Sequence, residues 1–379
     1  METINQIDID ITEDVFGPFY QYLIDPNVVN VDYSAGSLWV DDLTKGVFNV
    51  SSDDITQLFL NRFCNKMCNM TNQSFNAEHP TLEAEAPYLR ITIVHECASM
   101  YGRTIVIRKT KASLRHTISS MLYTKYCEPQ VLSFLINACI AGLNGIYGGK
   151  IGMGKTELLK FFLQFIPKNQ KTVILEDTRE AYYDQINPGA YFNDFRITEK
   201  FGYDKAIRTV LRSNAERLYL IEARGREITS ILEAWSTGTA GTTTIHLDDV
   251  HKLSSRVVSM AGDGADADRI KRLLYDAIDF ALVISRHKLS EEDEKNIPKE
   301  QRVYSYRYID QLYVYDNSDS ALITYPIVEN GRLISSDIDL PDSILRKMER
   351  AGIENPFYNP LVYNLGGTNE NRQENIETA

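Results

Sequence analysis

Glycines and a lysine that could bind phosphate stand close together in the stretch GGKIGMGKTELLKFF, which begins at Gly148. Residues 149–156 fit the pattern G-x-x-x-x-G-K-[ST], in which glycines let backbone N–H groups converge on a β-phosphate. Lys155 would neutralise the β- and γ-phosphate oxygens, and Thr156 would offer its hydroxyl to Mg²⁺. The pattern therefore predicts a nucleotide-phosphate site. The alternative is a chance match in a glycine-rich turn.

Carboxylates follow two later apolar segments that are typical of strands. The segment RLYLIEARG carries Glu222, which could polarise an attacking water or reach a magnesium ion through one. The alternative is a strand-end ion pair between Glu222 and Arg224. The segment VILEDTRE carries Glu176, Asp177 and Glu180 at the carboxyl end of its strand, where parallel sheets bind ligands. A solvated acidic turn is the competing interpretation.

A histidine is the third candidate. His246 ends the strand-like segment GTTTIH, which follows the small-residue loop STGTAG. A lone histidine is often structural, and the sequence leaves both roles open. No NKxD motif follows the phosphate loop. A GTPase is therefore not expected, and an adenine nucleotide is the default prediction.

The order of the elements predicts the fold class. Apolar strands alternate with helical segments from residue 126 onward, which indicates an α/β domain with a mainly parallel sheet covered on both faces. A smaller α+β domain precedes it. We therefore predict an N-terminal domain at 1–125, an ATPase-type domain at 126–335 and a C-terminal extension at 336–379. The last polar residues, LGGTNENRQENIETA, are expected to be disordered.

Bulk composition narrows the class of protein. The chain has 379 residues, 43% of them hydrophobic, and a formal net charge of -12. This balance argues against stable nucleic-acid binding. The N-terminal METINQIDIDITEDVF lacks the apolar core of a signal peptide. The apolar tract VLSFLINACIAGL is too short to cross a bilayer. Five cysteines without a CxxC pair predict reduced thiols rather than a metal or redox site.

In combination, these motifs resemble those of the secretion and pilus traffic ATPases of the RecA-like superfamily. The match covers roughly residues 13–325. LEDTRE resembles the aspartate box I-E-D-x-x-E, LRSNAERLYLIEARG the Walker B segment, and TGTAGTTTIH the histidine box. YLIDPNVVNVDYSAGSLWVDD is similar to the family's first domain, and YLRITIV and TIVIRK are similar to strands that carry nucleotide-facing arginines.

The resemblance implies a RecA-like P-loop NTPase domain behind a smaller α+β domain, with ATP and Mg²⁺ as cofactors. The nucleotide-binding residues that it implies are Gly149, Lys150, Gly152, Met153, Gly154, Lys155, Thr156, Glu157, Arg90, Arg108 and Arg212. The implied catalytic residues are Lys155, Glu180, Glu222 and His246. The implied metal-binding residues are Thr156, Glu176 and Glu222. Arg224 is expected to be a structural partner of the neighbouring acids.

The resemblance also implies a cytoplasmic homo-hexamer, peripherally attached to the inner face of the cell membrane through a secretion platform. It points to the type IV secretion and conjugation branch or the tight-adherence branch, because no C-terminal tetracysteine zinc module is present. Ile221 replaces the usual glycine before Glu222, and Thr239 replaces the first histidine of the histidine box. A nucleotide-gated scaffold with little hydrolysis and a RecA-type DNA translocase therefore remain alternatives.

Overall fold

The chain packs as two compact units in the computed structural model. The structure describes residues 5–7, 9–288, 295, 297, 302–316, 323–335 and 337–364, and the predicted disordered tail at 365–379 lies outside them. Unit 1 comprises residues 1–112 with segments 288–294 and 298–305. Unit 2 comprises residues 113–287, 295–297 and 306–379. Residues 113–125, which the sequence assigned to the first domain, thus group with the second unit.

Unit 1 is a mixed sheet with short helices. Its described strands run in the spatial order β1-β5-β6-β7-β2-β3-β4, and only the β1–β5 pairing is parallel. The strands are β1 (Asn5–Gln6), β2 (Val28–Ser34), β3 (Ser37–Asp42), β4 (Gly46–Val50), β5 (Thr81–Ala86), β6 (Leu89–Val94) and β7 (Thr104–Lys109). The helices are α1 (Glu13–Phe16), α2 (Tyr20–Ile24) and α3 (Gln57–Thr71), with a 3₁₀ turn at Gly17–Phe19.

Alternating burial along the strands builds the core of unit 1. Ile91 and Ile107 point inward on β6 and β7 and are fully buried, while their chain neighbours are exposed or partly exposed. Helix α3 covers this face with Phe63 and Met67, and the hydroxyl of Thr56 caps its first turn by accepting the N–H of Phe59.

Unit 2 is an α/β sheet with an antiparallel extension. Its described strands run in the order β10-β9-β11-β12-β8-β13-β14-β15-β16, parallel from β10 to β13 and antiparallel from β13 onward. The strands are β8 (Gly145–Gly149), β9 (Thr172–Glu176), β10 (Phe192–Arg196), β11 (Arg217–Leu220), β12 (Thr242–His246), β13 (Phe280–His287), β14 (Tyr306–Asp316), β15 (Ile323–Glu329) and β16 (Arg332–Leu333).

The helices of unit 2 lie on both faces of its sheet. They are α4 (Ile118–Tyr123), α5 (Pro129–Ala141), α6 (Lys155–Leu163), α7 (Tyr183–Ile186), α8 (Tyr203–Leu211), α9 (Glu227–Ser236), α10 (Leu253–Ala261), α11 (Ala267–Ala277), α12 (Asp342–Arg350) and α13 (Pro360–Tyr363), with a 3₁₀ turn at Val250–Lys252. Tyr147, Ile174 and Tyr219 belong to the core on one face, whereas Ile146 and Leu218 belong to the core on the other. The predicted α/β class with a mainly parallel sheet is confirmed.

The packing around the central strand β8 explains why the sequence of this strand, GIYGG, is rich in glycine. A Cβ atom at Gly145 would lie 2.4 Å from the ring of Phe280, and one at Gly148 would lie 3.0 Å from Leu247. Because both approaches are too close or very tight for a side chain, glycine lets the neighbouring large residues pack against the strand. β8 is therefore held firmly in the middle of the sheet, just before the phosphate loop.

The C-terminal segment is fixed to unit 2 by buried polar contacts. The Asn137 amide on α5 donates to the carbonyls of Pro356 and Tyr358, each at 3.0 Å, and its oxygen accepts from Asn359 at 2.7 Å. On α12, the Lys347 Nζ donates to both carboxylate oxygens of Asp279, at 2.6 and 2.7 Å. Residues of the predicted C-terminal extension are thus part of the core of this unit.

Candidate functional site

The phosphate loop connects β8 to α6 at the carboxyl edge of the parallel strands. Gly152 and Gly154 adopt φ values of 76° and 82°, in the left-handed region that favours glycine. Helix α6 begins directly at Lys155, and no side chain caps its first turn. This helix end therefore offers backbone N–H groups and a favourable dipole to an anion. Thr156, in the first turn, is partly exposed.

Lys155 is folded back into the loop. It is 7% exposed, and its Nζ donates to the carbonyls of Gly149 at 3.1 Å and Lys150 at 3.3 Å. A third contact, at 3.1 Å, joins Lys155 Nζ to Nδ1 of His246. The positive charge is thus held inside the loop that would surround a phosphate group.

The contact with Lys155 defines the tautomer of His246. Because an ammonium group can only donate, Nδ1 of His246 must accept. The hydrogen of the neutral ring then lies on Nε2, which is 3.0 Å from Oε1 of Glu222. Desolvation and the charge of Lys155 lower the pKa of His246, and the attraction of Glu222 only partly opposes them. The structure therefore links Lys155, a neutral His246 and Glu222 in a continuous chain of polar contacts.

Arg224 extends this chain to a further carboxylate. Its Nε and Nη2 donate to Oε2 of Glu222 at 3.0 and 2.7 Å, and its Nη1 donates to Oδ2 of Asp177 at 2.7 Å. The polar chain follows the strand order β8, β12, β11, β9, with each member at or just after the carboxyl end of its strand. Parallel pairing thus brings together side chains that are far apart in the sequence.

Glu176 is engaged inside the protein. It is 4% exposed, and its Oε2 accepts the backbone N–H groups of Glu180 and Ala181, each at 2.9 Å. Desolvation, together with Asp194, raises the pKa of Glu176 well above its usual value. In this structure Glu176 is thus engaged by backbone amides, and its role as a magnesium ligand stays a prediction.

The remaining predicted residues of the loop region lie beside this chain of contacts. Met153 is buried, whereas Lys150 is exposed at the tip of the loop. Glu157 forms ion pairs with Arg115 at 3.6 Å and with Lys160 at 3.7 Å. Glu180 is partly buried, and its charge acts on Lys160. Glu157 and Glu180 thus balance cations next to the loop.

The three predicted arginines lie in different units, with Arg212 in unit 2 and Arg90 and Arg108 in unit 1. Arg212 follows the last residue of α8 and precedes β11, so it lies at the amino-terminal edge of the sheet, opposite the phosphate loop. Arg90 and Arg108 lie on neighbouring strands of unit 1, opposite one another in the β6–β7 register. Arg90 is 3.9 Å from Glu83, and Arg108 is exposed.

The two departures from the family motifs have local structural roles. Ile221 is 3% exposed and packs in the core that contains Tyr147, where a glycine would leave a space. The hydroxyl of Thr239 donates to the carbonyl of Ala234 at 2.8 Å, close to the end of α9. Neither substitution removes a member of the polar chain.

Two arginines that the sequence motifs did not point to also contact the site. Arg256 on α10 donates from Nε to the backbone carbonyl of His246 at 3.1 Å. Arg307 on β14 donates from Nη2 to the carbonyl of Gly152 at 3.3 Å. The position of Arg307 could have been inferred from strand direction. An antiparallel strand begins at the edge of the sheet where the adjacent parallel strand ends, and Arg307 is among the first residues of such a strand.

The donor set around the loop fits a magnesium nucleotide. Oxygen ligands suit Mg²⁺, which binds through one or two protein groups together with phosphate oxygens and waters. Thr156 and Glu222 offer a hydroxyl and a carboxylate. Within the described residues, no group of three or more His, Cys, Asp or Glu side chains could hold a metal ion without such additional ligands. Likewise, no helix in the described ranges is long and apolar enough to span a membrane.

The chain of contacts predicts how the titration of His246 responds to its neighbour. Replacing Lys155 by methionine should raise the pKa of His246, because a lowering charge disappears while the Glu222 carboxylate remains. An NMR titration of the imidazole signals would measure this change. His116, whose pKa is lowered to about 3 by desolvation and by Arg307 and Arg115, provides an internal control that should not move. An unchanged His246 pKa would contradict the Lys155–His246 contact.

Comparisons with known proteins agree with this geometry. The family model described as "Type II/IV secretion system protein" matches residues 82–302. An uncharacterized protein of Bacillus anthracis is 21% identical over 327 residues, covering 85% of this chain and 73% of that protein. The type IV secretion system protein VirB11 of Bartonella quintana is 29% identical over 183 residues, covering 46% of this chain and 51% of VirB11. The match thus spans about half the length of VirB11.

Solved structures show the same fold. The Legionella pneumophila ATPase DotB superposes with a TM-score of 0.55 at 17% identity, covering 83% of this chain and 84% of DotB. The pilus retraction motor PilT with bound ADP superposes with a TM-score of 0.54 at 11% identity, covering 92% of this chain and 88% of PilT. The predicted RecA-like core with a preceding N-terminal domain is therefore confirmed. The matched family model covers more than half of the chain, and the protein belongs to the type II/IV secretion system family of traffic ATPases.

Proposed function

We propose that this chain is a Mg²⁺-dependent ATP hydrolase that acts as a ring-shaped motor of a secretion, conjugation or pilus machine. The observation that carries this proposal is the polar chain from Lys155 through His246 to Glu222. It connects a phosphate-binding cation to a carboxylate that can accept a proton from water. Membership of the traffic ATPase family supports ATP as the nucleotide.

In this proposal, each of the linked residues Lys155, His246 and Glu222 has a distinct role. Lys155 leaves the carbonyls of the loop and neutralises the β- and γ-phosphate oxygens. Glu222 orients the attacking water and accepts its proton, as carboxylates do in general-base catalysis. His246 leaves Lys155 and senses the γ-phosphate. Thr156 and Glu222 would hold Mg²⁺, which would supply charge neutralisation at the phosphates.

Arg90 and Arg108 are proposed to stabilise the charge that spreads over the transferred phosphoryl group. The support for this role is the similarity of their strands to those of the family. Arg212 lies at the opposite edge of the sheet from the loop of its own chain. A role for Arg212 therefore requires the loop of a neighbouring subunit in the ring.

The proposed setting is a homo-hexamer on the cytoplasmic face of the cell membrane. VirB11 is named as a type IV secretion system protein, and PilT as a pilus retraction motor. We extend that setting to this chain and propose attachment through platform proteins. Closure of the first domain on ATP and its later release would provide the work step.

A scaffold that binds ATP but hydrolyses it slowly is the second candidate. The favouring observation is that both oxygens of Glu222 are occupied, one by His246 and the other by Arg224. A carboxylate held in this way must be released before it can activate water. The same geometry would make a motor dependent on nucleotide binding or on assembly.

Single-turnover hydrolysis separates the two candidates. Purified protein in excess over radiolabelled ATP should release inorganic phosphate in the presence of Mg²⁺, and EDTA should stop the release. ATP binding without release of phosphate would support the scaffold. Absence of ATP binding would contradict both proposals.

A further inference from the structure

Arg307 reaches the phosphate loop from a part of the fold that no motif covers. Strand β14 begins at Tyr306 and runs antiparallel to β13. β13 is parallel to β8, and its Ile284 lies opposite Gly149, the last residue of β8. Because β14 starts at this edge, its second residue, Arg307, lies beside the loop.

Arg307 contacts the loop through its guanidinium and its aliphatic stem. Its Nη2 lies 3.3 Å from the carbonyl oxygen of Gly152. A Cβ atom built on Gly154 would lie 3.2 Å from Nε of Arg307 and 3.3 Å from its Cδ. The guanidinium and its stem therefore cover the two glycines of the loop that have left-handed backbones.

This contact determines which way one peptide group points. In a trans peptide the carbonyl and the following N–H point in opposite directions. Because Arg307 holds the Gly152 carbonyl, the N–H of Met153 points away from Arg307, on the opposite side of this peptide group. In this structure that N–H donates to the carbonyl of Lys150 across the loop, at 3.3 Å. An inward N–H is what a phosphate-binding loop requires.

The strand that carries Arg307 is itself well anchored. Ile309 donates its N–H to the carbonyl of Tyr126 at 2.8 Å, which ties β14 to the segment before α5. His116 packs edge-on against the ring of Tyr126, with 5.1 Å between the ring centroids. The charges of Arg307 and Arg115 add to desolvation in lowering the pKa of His116 to about 3. His116 is therefore neutral at physiological pH, and Arg307 is a charged group at this side of the loop.

We propose that Arg307 is a positioning residue of the phosphate loop, which orients the Gly152–Met153 peptide group and adds positive charge for binding nucleotide phosphates. This inference rests on the proposed ATP-binding function. It assigns to the antiparallel extension a role in nucleotide affinity. Since the loop holds the β-phosphate, the affinities for ATP and ADP should both depend on Arg307.

Titration with a fluorescent ATP analogue, together with steady-state hydrolysis, tests this role. Arg307→Ala should raise the dissociation constant and KM about tenfold, equivalent to about 1.4 kcal/mol. Its kcat at saturating ATP should stay within about threefold, because Arg307 contacts the loop rather than the water-activating residues. Arg307→Lys keeps the charge without the planar fork and should recover part of the lost affinity. If Arg307 had a purely structural role, Arg307→Ala would lower kcat and the fraction of folded protein. A raised KM with a nearly unchanged kcat would then not be observed.

Arg269→Ala is the matched control, because this arginine on α11 is 70% exposed and pairs only with Glu233 among the ion pairs of the described residues. It should leave the affinity unchanged. If wild-type protein fails to bind the analogue, the proposed function is wrong. If wild type binds and a folded Arg307→Ala binds equally well, the role of Arg307 alone is overturned. Should Arg307→Ala not fold, Arg307→Lys with wild-type affinity for both nucleotides supports a charge role, and Arg307→Gln with wild-type affinity overturns the inference.

Discussion

Replacing Lys155 by methionine is expected to reduce the rate of ATP hydrolysis by at least about 100-fold, the cost of removing a major group that stabilises transition-state charge. Lys155 is the cation inside the loop, and methionine fills a similar space without the charge. The fold should persist, because Nζ donates to loop carbonyls and contacts His246, and methionine keeps the apolar stem of the side chain. Phosphate release and the thermal unfolding midpoint measure the two effects.

Lys271→Met is a suitable control for this variant. Lys271 lies on α11, and its side chain is 48% exposed, beside Asp268 at 3.9 Å. The Lys271→Met protein should hydrolyse ATP at the wild-type rate. Normal turnover by a folded Lys155→Met protein would remove the basis for placing catalysis at this loop.

Replacing Glu222 by glutamine is expected to lower kcat by about 100-fold or more, the usual contribution of a general base. ATP binding should remain within about threefold of wild type, because the phosphate loop is unchanged. The glutamine amide is close in shape to the carboxylate, and its oxygen can still accept from His246 or Arg224. Pre-steady-state measurements would then show bound ATP that is not hydrolysed.

Glu233→Gln provides the corresponding control, since Glu233 is 56% exposed on α9 and pairs with Arg269. The same loss of charge there should leave turnover unchanged. A Glu222→Gln protein with a normal kcat would exclude Glu222 as the base. Weakened ATP binding with unaltered kcat would assign it to metal or nucleotide binding instead.

The sequence predicted the contents of the catalytic edge because the signals there are local. The glycines and Lys155 form a contiguous motif, and Glu222 and His246 each end an apolar strand-like segment. Parallel strands share one carboxyl edge, so strand ends alone place these side chains near each other. The strand order could not be predicted from the sequence. The position of His246 between Lys155 and Glu222 depends on that order, so it could not be predicted either.

Other features depend on burial and chain direction, which motifs do not encode. Glu176 belongs to an acidic motif, yet it is buried and holds two backbone amides. Arg212 is the second residue of the Walker B segment LRSNAERLYLIEARG, but it follows a helix and precedes a strand, which places it at the amino-terminal edge of the sheet. Arg307 lies outside every motif. It contacts the loop because its strand, β14, runs antiparallel to β13 and therefore begins at the edge where the loop lies.

The Asn137 contacts restrict how this protein can be divided for experiments. Asn137 holds the backbone around Pro356 and Tyr358, while Ile344 and Met348 fill the same core as the helix that carries it. A recombinant fragment that stops at residue 335 would leave the Asn137 amide among apolar side chains without these hydrogen bonds. It would also expose to water the core surface that Ile344 and Met348 cover. A fragment of the second unit that keeps these contacts therefore extends through the helix at Pro360–Tyr363, and affinity tags belong beyond it.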